Sequence, residues 1–466
     1  MLAFSLRLRI AALGLALGLA AAPALAQDAP VVDAAPTVLT LDEALALALG
    51  RNIDLAQAQN SVGFAEVNVA QDRAAFGPTL SVTAGPSLTY ARGGASSFVD
   101  STGTVFDTGT DGDLTAGLSA SASSSLTLFD AGLRRANLDQ SQSQLAATQA
   151  SLSRAEEQTL YLAATQYLYV LQDAAVVRVN EEALAAQEEQ LELIEALYDA
   201  GNRSLADVLQ QRATIAQSRQ SLVTAQQSVA TSLLDLKQTL RLAPATEVVV
   251  APVDTTAVLP VPTLDPTALV ALAVERRSDV EAQRLQTDAA ESAIRAAQSG
   301  RYPSVSVGLT AGSSYASSNG GFATQLFDTR PSAGLSLGLT IPILDRRQTQ
   351  SAVERAQISL NDQRLTLEAA EQQAGFEAEQ TALNVRSTEA RLDAAEAQVA
   401  AATEALDAAR ERYRVGAGTF AELADAQSLA VDAQGQVAQA RYQALIDRVA
   451  LGYAVGDLLP ALDALR

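Results

Sequence analysis

The chain has 466 residues, 48% of them hydrophobic, and a formal net charge of −21; it has no cysteine, histidine or tryptophan, and Lys237 is its single lysine. Those absences exclude a disulfide framework, Ser–His and Cys–His nucleophile pairs, and a zinc site of the usual nitrogen and sulfur ligands. An enzyme and a cofactor are therefore not expected, and the acidity speaks against nucleic acid, which is bound through clustered lysine and arginine.

Arg7 and Arg9 precede an apolar run over 10–22, and Ala24-Leu25-Ala26 has the A-x-A form of a cleavage site. Residues 1–26 therefore predict a signal peptide that is removed. A retained anchor is the alternative, but the run falls short of the ~20 residues a spanning helix needs. No later stretch is apolar enough for one, so a membrane would be met only through a closed β-barrel.

After a linker over 27–39, a first repeat is expected over 40–242. Helical spacing runs through 41–75, opened by a capping box in which Thr40 and Glu43 satisfy each other's backbone. Strict alternation then sets Leu80, Val82, Leu88 and Tyr90 on one face against serine, threonine and glycine on the other. The same apolar face continues through Leu114, Leu118, Leu126 and Leu128, which gives a hairpin over 79–129 with a polar loop at 91–112. Residues 134–198 pass without proline or glycine, enough for a helix of about 100 Å at ~1.5 Å per residue. A returning helix follows over 204–242.

A proline-rich linker at 243–263 leads to a second repeat at 264–460, with a tail over 461–466. Its helix at 264–299, hairpin at 304–343 with a polar loop at 316–332, long helix at 346–413 and return at 419–452 copy the first order. Tyr198, Gly201, Ser204 and Asp207 recur at one offset as Tyr413, Gly416, Thr419 and Glu422, the mark of a tandem duplication. Each return is about half a long helix, so it can stack end to end on a pre-strand helix to match one.

An apolar face opposed by small polar residues suits a transmembrane strand better than a soluble hairpin, whose outer face is usually charged. Four strands cannot close a barrel, since the smallest membrane forms have about 8, so an oligomer has to complete the circle. Soluble hairpins and a plain coiled-coil filament are the alternatives.

RYRVGAGTFA, residues 412–421, fits the spacing G-x-G-x-x-A of a dinucleotide turn, but such a turn needs a preceding strand and this one follows a helix. In the repeat it is a helix-to-helix turn, with Gly201 and Gly416 as C-cap glycines, Ser204 and Thr419 as N-caps, and Asp207 and Glu422 as the acids of capping boxes. Glu422 and Asp425 stand one turn apart on one helical face. Threefold symmetry would make each a ring of negative charge; solvated capping acids are the alternative.

LTLDEALALALGRN at 39–52, SLTLFDAGLRRANL at 125–138, LTIPILDRRQTQSAV at 339–353 and the two Y-x-x-G turns, in this order, resemble the TolC-type outer membrane efflux family over about 38–460. The resemblance implies a mainly α fold with a membrane β-barrel: a homotrimer whose four strands per subunit form one twelve-stranded barrel in outer-membrane lipid of a Gram-negative bacterium. An α-helical tunnel continues into the periplasm and docks on a periplasmic adaptor, or membrane fusion, protein of an inner-membrane pump. The chain would be the passive exit duct of a tripartite efflux pump or a type I secretion system. A non-channel periplasmic coiled-coil protein or adhesin is the alternative.

By the same resemblance, Glu422 and Asp425 match acidic rings, while Tyr413, Asp207 and the position of Gly418 match a closed-state lock. The family's locking arginine is Gly418 here, although Arg203 fills the equivalent slot of the first repeat. Val415, Gly416 and Ala417 look like the tip motif that meets the adaptor, with Gly201 in the less similar counterpart.

Overall fold

The computed structural model describes residues 37–91, 96–99, 101–102, 104–108, 113–254, 265–317 and 321–465. The expected signal peptide, most of the first linker and the second half of the proline-rich linker, from 255 on, lie outside them. The capping box of Thr40 and Glu43 forms in both directions and starts α1, Leu41–Arg51. The expected helix over 41–75 is broken. Asn52 takes an extended ψ of 122°, donates its N–H to Ala48, and its side chain accepts from Asp54 and Leu55 to start α2, Ile53–Ala74.

Strands β2, Thr79–Ala91, and β5, Asp113–Phe129, form the first hairpin. The loop expected between them carries a ladder of its own, β3, Ser96–Val99, with β4, Val105–Thr108. Helix α3, Leu133–Asp199, has 67 residues and α4, Leu205–Thr239, returns along it. The second repeat begins with α5, Pro266–Arg276, and α6, Ser278–Ser299, broken at Arg277 as the first is at Asn52.

Strand β7, Ser304–Ala316, leads through a helical turn α7, Phe322–Thr324, and a π turn to β8, Ser332–Thr340. The second loop is thus partly helical, held by Gln325, whose side-chain amide donates to Ala316 O at 2.9 Å and accepts from Ala316 N–H at 3.0 Å. The last strand stops at Thr340, short of the expected 343, where Pro342 lacks the N–H a ladder needs. Helices α8, Gln348–Arg414, α9, Phe420–Val455, and α10, Leu458–Asp463, complete the chain.

The four long strands form one antiparallel sheet in the order β2-β5-β7-β8. Its register joins the apolar positions: Val82 faces Ala122, Leu126 faces Val307, and Leu309 faces Leu335. Most of this face is exposed, with Leu335 77%, Leu80 76% and Val82 74% exposed, while Ala122, Leu126 and Val307 are half-buried. On the opposite face Thr79 and Ser125, and Ser81 and Ser123, join hydroxyls at 2.7 and 2.8 Å. Such a sheet, open at both edges and apolar outside, is a segment of a barrel wall.

The largest core lies at mid-height rather than under the sheet. There the C-terminal end of α4 meets α1 against the middle of α3, and Leu45, Ala163, Leu168, Leu236, Leu240 and Val449 are buried together. A parallel ladder not foreseen in either linker closes it: β1, Thr37–Leu39, pairs with β6, Val248–Val250. The buried Tyr167 hydroxyl lies 2.7 Å from Ala251 O and 3.1 Å from Leu39 O, and burial pushes its pKa up to about 12.

Candidate functional site

Far from the sheet, α3 turns into α4 and α8 into α9. Both turns are Schellman closures. Gly201 (φ +77°) and Gly416 (φ +80°) take the left-handed conformation, Asn202 N–H reaches Leu197 O at 2.9 Å, and Ala417 N–H reaches Arg412 O at 2.8 Å. Ser204 Oγ then accepts from Asp207 N–H and Thr419 Oγ1 from Glu422 N–H, so each return is capped as expected.

The two acids do not complete the expected capping boxes. Asp207 Oδ1 accepts from Ser204 Oγ at 2.9 Å, and its Oδ2 accepts from the Tyr413 hydroxyl of the other hairpin at 3.2 Å. Glu422 turns to Arg412, with Oε2 and Nη2 3.2 Å apart. The same chemistry, an acid three residues after a cap, thus serves two other partners.

Tyr413 is 1% exposed, packed edge-on against Phe420 with ring centres 6.3 Å apart, and lies in a cluster with Ile194, Val208, Leu406 and Leu423. Burial raises its pKa to about 12, and the nearby Asp207 charge adds to the shift. The Arg203 guanidinium lies over the Tyr413 ring, 3.9 Å from its centre, and donates to the Tyr413 carbonyl. Arg203, Asp207 and Tyr413 therefore form one polar latch between the two hairpins. Arg203 was legible only through the repeat, as the residue aligned with Gly418.

A side chain at Gly418 would be crowded. The Gly418 N–H donates to Arg412 O at 2.9 Å, and a Cβ there would meet Arg412 Cβ at 3.2 Å and Glu422 Oε2 at 3.3 Å. The arginine of the latch comes from the first hairpin instead. Asp425 is exposed one turn beyond Glu422, with no cation within ion-pair distance among the described residues. Val415, Gly416, Ala417 and Gly201 all face solvent at the end of the bundle, Val415 being 66% exposed.

The family model described as outer membrane efflux protein matches residues 44–240 and 269–457. The outer membrane efflux protein BepC of Brucella suis biovar 1 (strain 1330) is 25% identical over 331 residues, 71% of this chain and 70% of that protein. The outer membrane protein TolC of Salmonella enteritidis is 29% identical over 194 residues, which are 41% of this chain and 40% of that protein. Among solved structures, CusC superimposes with a TM-score of 0.77 at 18% identity, covering 90% of this chain and 93% of its own.

Proposed function

The chain belongs to the outer membrane efflux protein family, and from that premise we propose that three copies close one twelve-stranded barrel and use the latched helical end to dock on a periplasmic adaptor. As a member of that family it is an outer-membrane channel for efflux with a long periplasmic helical extension. The single observation that supports trimeric closure is the sheet: four strands, open at both edges, apolar on the outer face and continuous with 67-residue helices.

In the proposed closed state the Arg203, Asp207 and Tyr413 latch holds the two hairpins together within each subunit. The carboxylates of Glu422 and Asp425, repeated three times, would draw cations to the mouth. Opening moves the hairpins apart, breaking the latch, and cargo passes along the bore without chemical change. The exposed turn residues Val415, Gly416, Ala417 and Gly201 form the adaptor contact, and an inner-membrane pump supplies the cargo. Both a tripartite pump and a type I secretion system use a duct of this kind.

Membrane fractionation, mild-detergent electrophoresis and planar-bilayer recording test the reading. Heat-sensitive trimer bands from the outer membrane and discrete conductance steps are expected. A soluble monomer without conductance would overturn it.

A further inference from the structure

On the side facing the long helices, the strands end near one another: Phe129 pairs with Val305 and Ser304 with Thr340, while Thr79 pairs with Ser125, four residues before Phe129. Just past these ends the chain turns into helix, and arginines gather there in both repeats. Arg73 sits in the last turn of α2, Arg134 and Arg135 open α3, Arg301 follows α6, and Arg346 and Arg347 precede α8. Cross-contacts tie the helix ends within each repeat, and Arg295, 3.9 Å from Asp139, ties α6 of the second repeat to α3 of the first. Arg134 donates to Ala75 O at 3.4 Å and lies 5.0 Å over the Phe76 ring, while Thr349 Oγ1 donates to Gly300 O at 3.4 Å.

Half of these cations already have carboxylates: Arg134 has Asp130 at 2.6 Å, Arg135 has Asp139 at 2.9 Å, and Arg347 has Glu354 at 3.7 Å. Arg73, Arg301 and Arg346 are exposed and have no carboxylate within ion-pair distance among the described residues. Of the nearby acids, Asp345 accepts from Thr349 N–H, and Asp72 lines the groove between α2 and α3 without reaching Arg73, Arg301 or Arg346 within ion-pair distance. In a chain of 53 acidic and 32 basic residues, three uncompensated guanidinium groups at one level run against the overall charge.

The same level is apolar outside. Ile343 and Leu344 are 91% and 90% exposed, and Tyr302 and Phe76 stand beside Arg301 and Arg73. Aromatic rings at such a height mark the boundary between hydrocarbon and water. A guanidinium binds phosphate with two parallel hydrogen bonds. Uncovered leucine and isoleucine next to it suit acyl chains and would gain nothing from free phosphate.

We propose that this collar is a binding surface for anionic phospholipid head groups of the periplasm-facing leaflet, with Arg73, Arg301 and Arg346 on the phosphates and Ile343, Leu344 and Tyr302 against the chains. It rests on the outer-membrane barrel reading, which sets the helix-bearing ends of the strands at that leaflet.

The test compares phosphatidylglycerol with phosphatidylcholine of equal chain length, by native mass spectrometry of lipid adducts on the detergent-purified full-length protein. Wild type should retain phosphatidylglycerol preferentially, and Arg73→Gln/Arg301→Gln/Arg346→Gln should lose that preference, on the order of fivefold per arginine removed. The matching triple lysine variant keeps the charge and should keep most of it. Should the triple glutamine variant fail to assemble, Arg301→Gln alone should show the single fivefold step.

An unchanged preference in an assembled glutamine variant overturns the proposal, as does equal retention of both lipids by wild type. Failure of the barrel reading shows separately, as a wild-type protein that neither fractionates with the outer membrane nor conducts.

Discussion

Removing one oxygen, Tyr413→Phe, tests the latch with least disturbance. The hydroxyl gives a 3.2 Å hydrogen bond to the Asp207 carboxylate from a side chain that is 1% exposed. A hydrogen bond to a charged group contributes about 1.5–3 kcal/mol. The ring stays packed on Phe420 and under Arg203, so the change falls on the bond and not on the core. If the bond exists only in the closed state, its loss shifts the closed-to-open ratio roughly tenfold to a hundredfold. Planar-bilayer recording of the purified trimer should then show a higher open probability at unchanged full-open conductance. Asp207→Asn should shift it similarly, and the double variant should add little beyond either change, since both remove one interaction. Wild-type gating in Tyr413→Phe, with the trimer intact, would refute the reasoning; additive effects would mean the two residues act separately.

Glu422→Ala with Asp425→Ala should weaken block by multivalent cations and flatten the rise of cation conductance at low salt, as seen in single-channel traces; identical traces would remove these acids from the entrance. Gly416→Trp should abolish export in cells while trimer bands persist, because the indole covers the exposed turn and the φ of +80° disfavours any side chain; continued export would sink the docking assignment. Gly418→Arg should loosen the turn by about 1–3 kcal/mol, since even a Cβ meets Arg412 at 3.2 Å; hydrogen exchange over 410–425 should speed up, and unchanged exchange would contradict the crowding. Burial holds Tyr413 neutral, with its pKa pushed up to about 12 from an ordinary phenol's 10.0. Its contribution is therefore complete below pH 10 and lost as pH rises through 12, so exchange at the tip should accelerate across that window in wild type and less in Tyr413→Phe.

The sheet was readable because its signal is local: even-numbered residues of β2 and, Ser124 apart, of β5 are apolar, and the register pairs them, as Val82 with Ala122 shows. The long helices were readable for the same reason, through the absence of any breaker. The helix breaks were half visible. Asn52 followed by Asp54 is an N-cap signature, whereas Arg277 has no side-chain cap bond and binds Asp279 and Glu377 instead. Strands β1 and β6 have three residues each and pair across more than 200 positions, so no local pattern announces them.

At the tip, the turns followed from two glycines, but the partners of the acids did not. Glu43 is long enough to reach back to the Thr40 N–H. Asp207 is one methylene shorter and bonds the Tyr413 hydroxyl of the other hairpin, a choice made by packing between elements far apart in sequence. The slot of Arg203 followed from the repeat, but its seat over the Tyr413 ring became visible only when both hairpins were seen side by side.

The parallel ladder of β1 and β6, tied to Tyr167, fastens the start of the chain to the joint between repeats and stiffens the bundle at mid-height. Below that fastening, the helices from Tyr167 to Tyr198 are levers of about 47 Å at ~1.5 Å per residue. A tilt of about one degree at the fulcrum carries the free end about 0.8 Å. Hydrogen bonds fail within a few tenths of an ångström beyond ~3.2 Å, so a rotation too small to disturb any packed side chain at the pivot is enough to unfasten Tyr413 from Asp207.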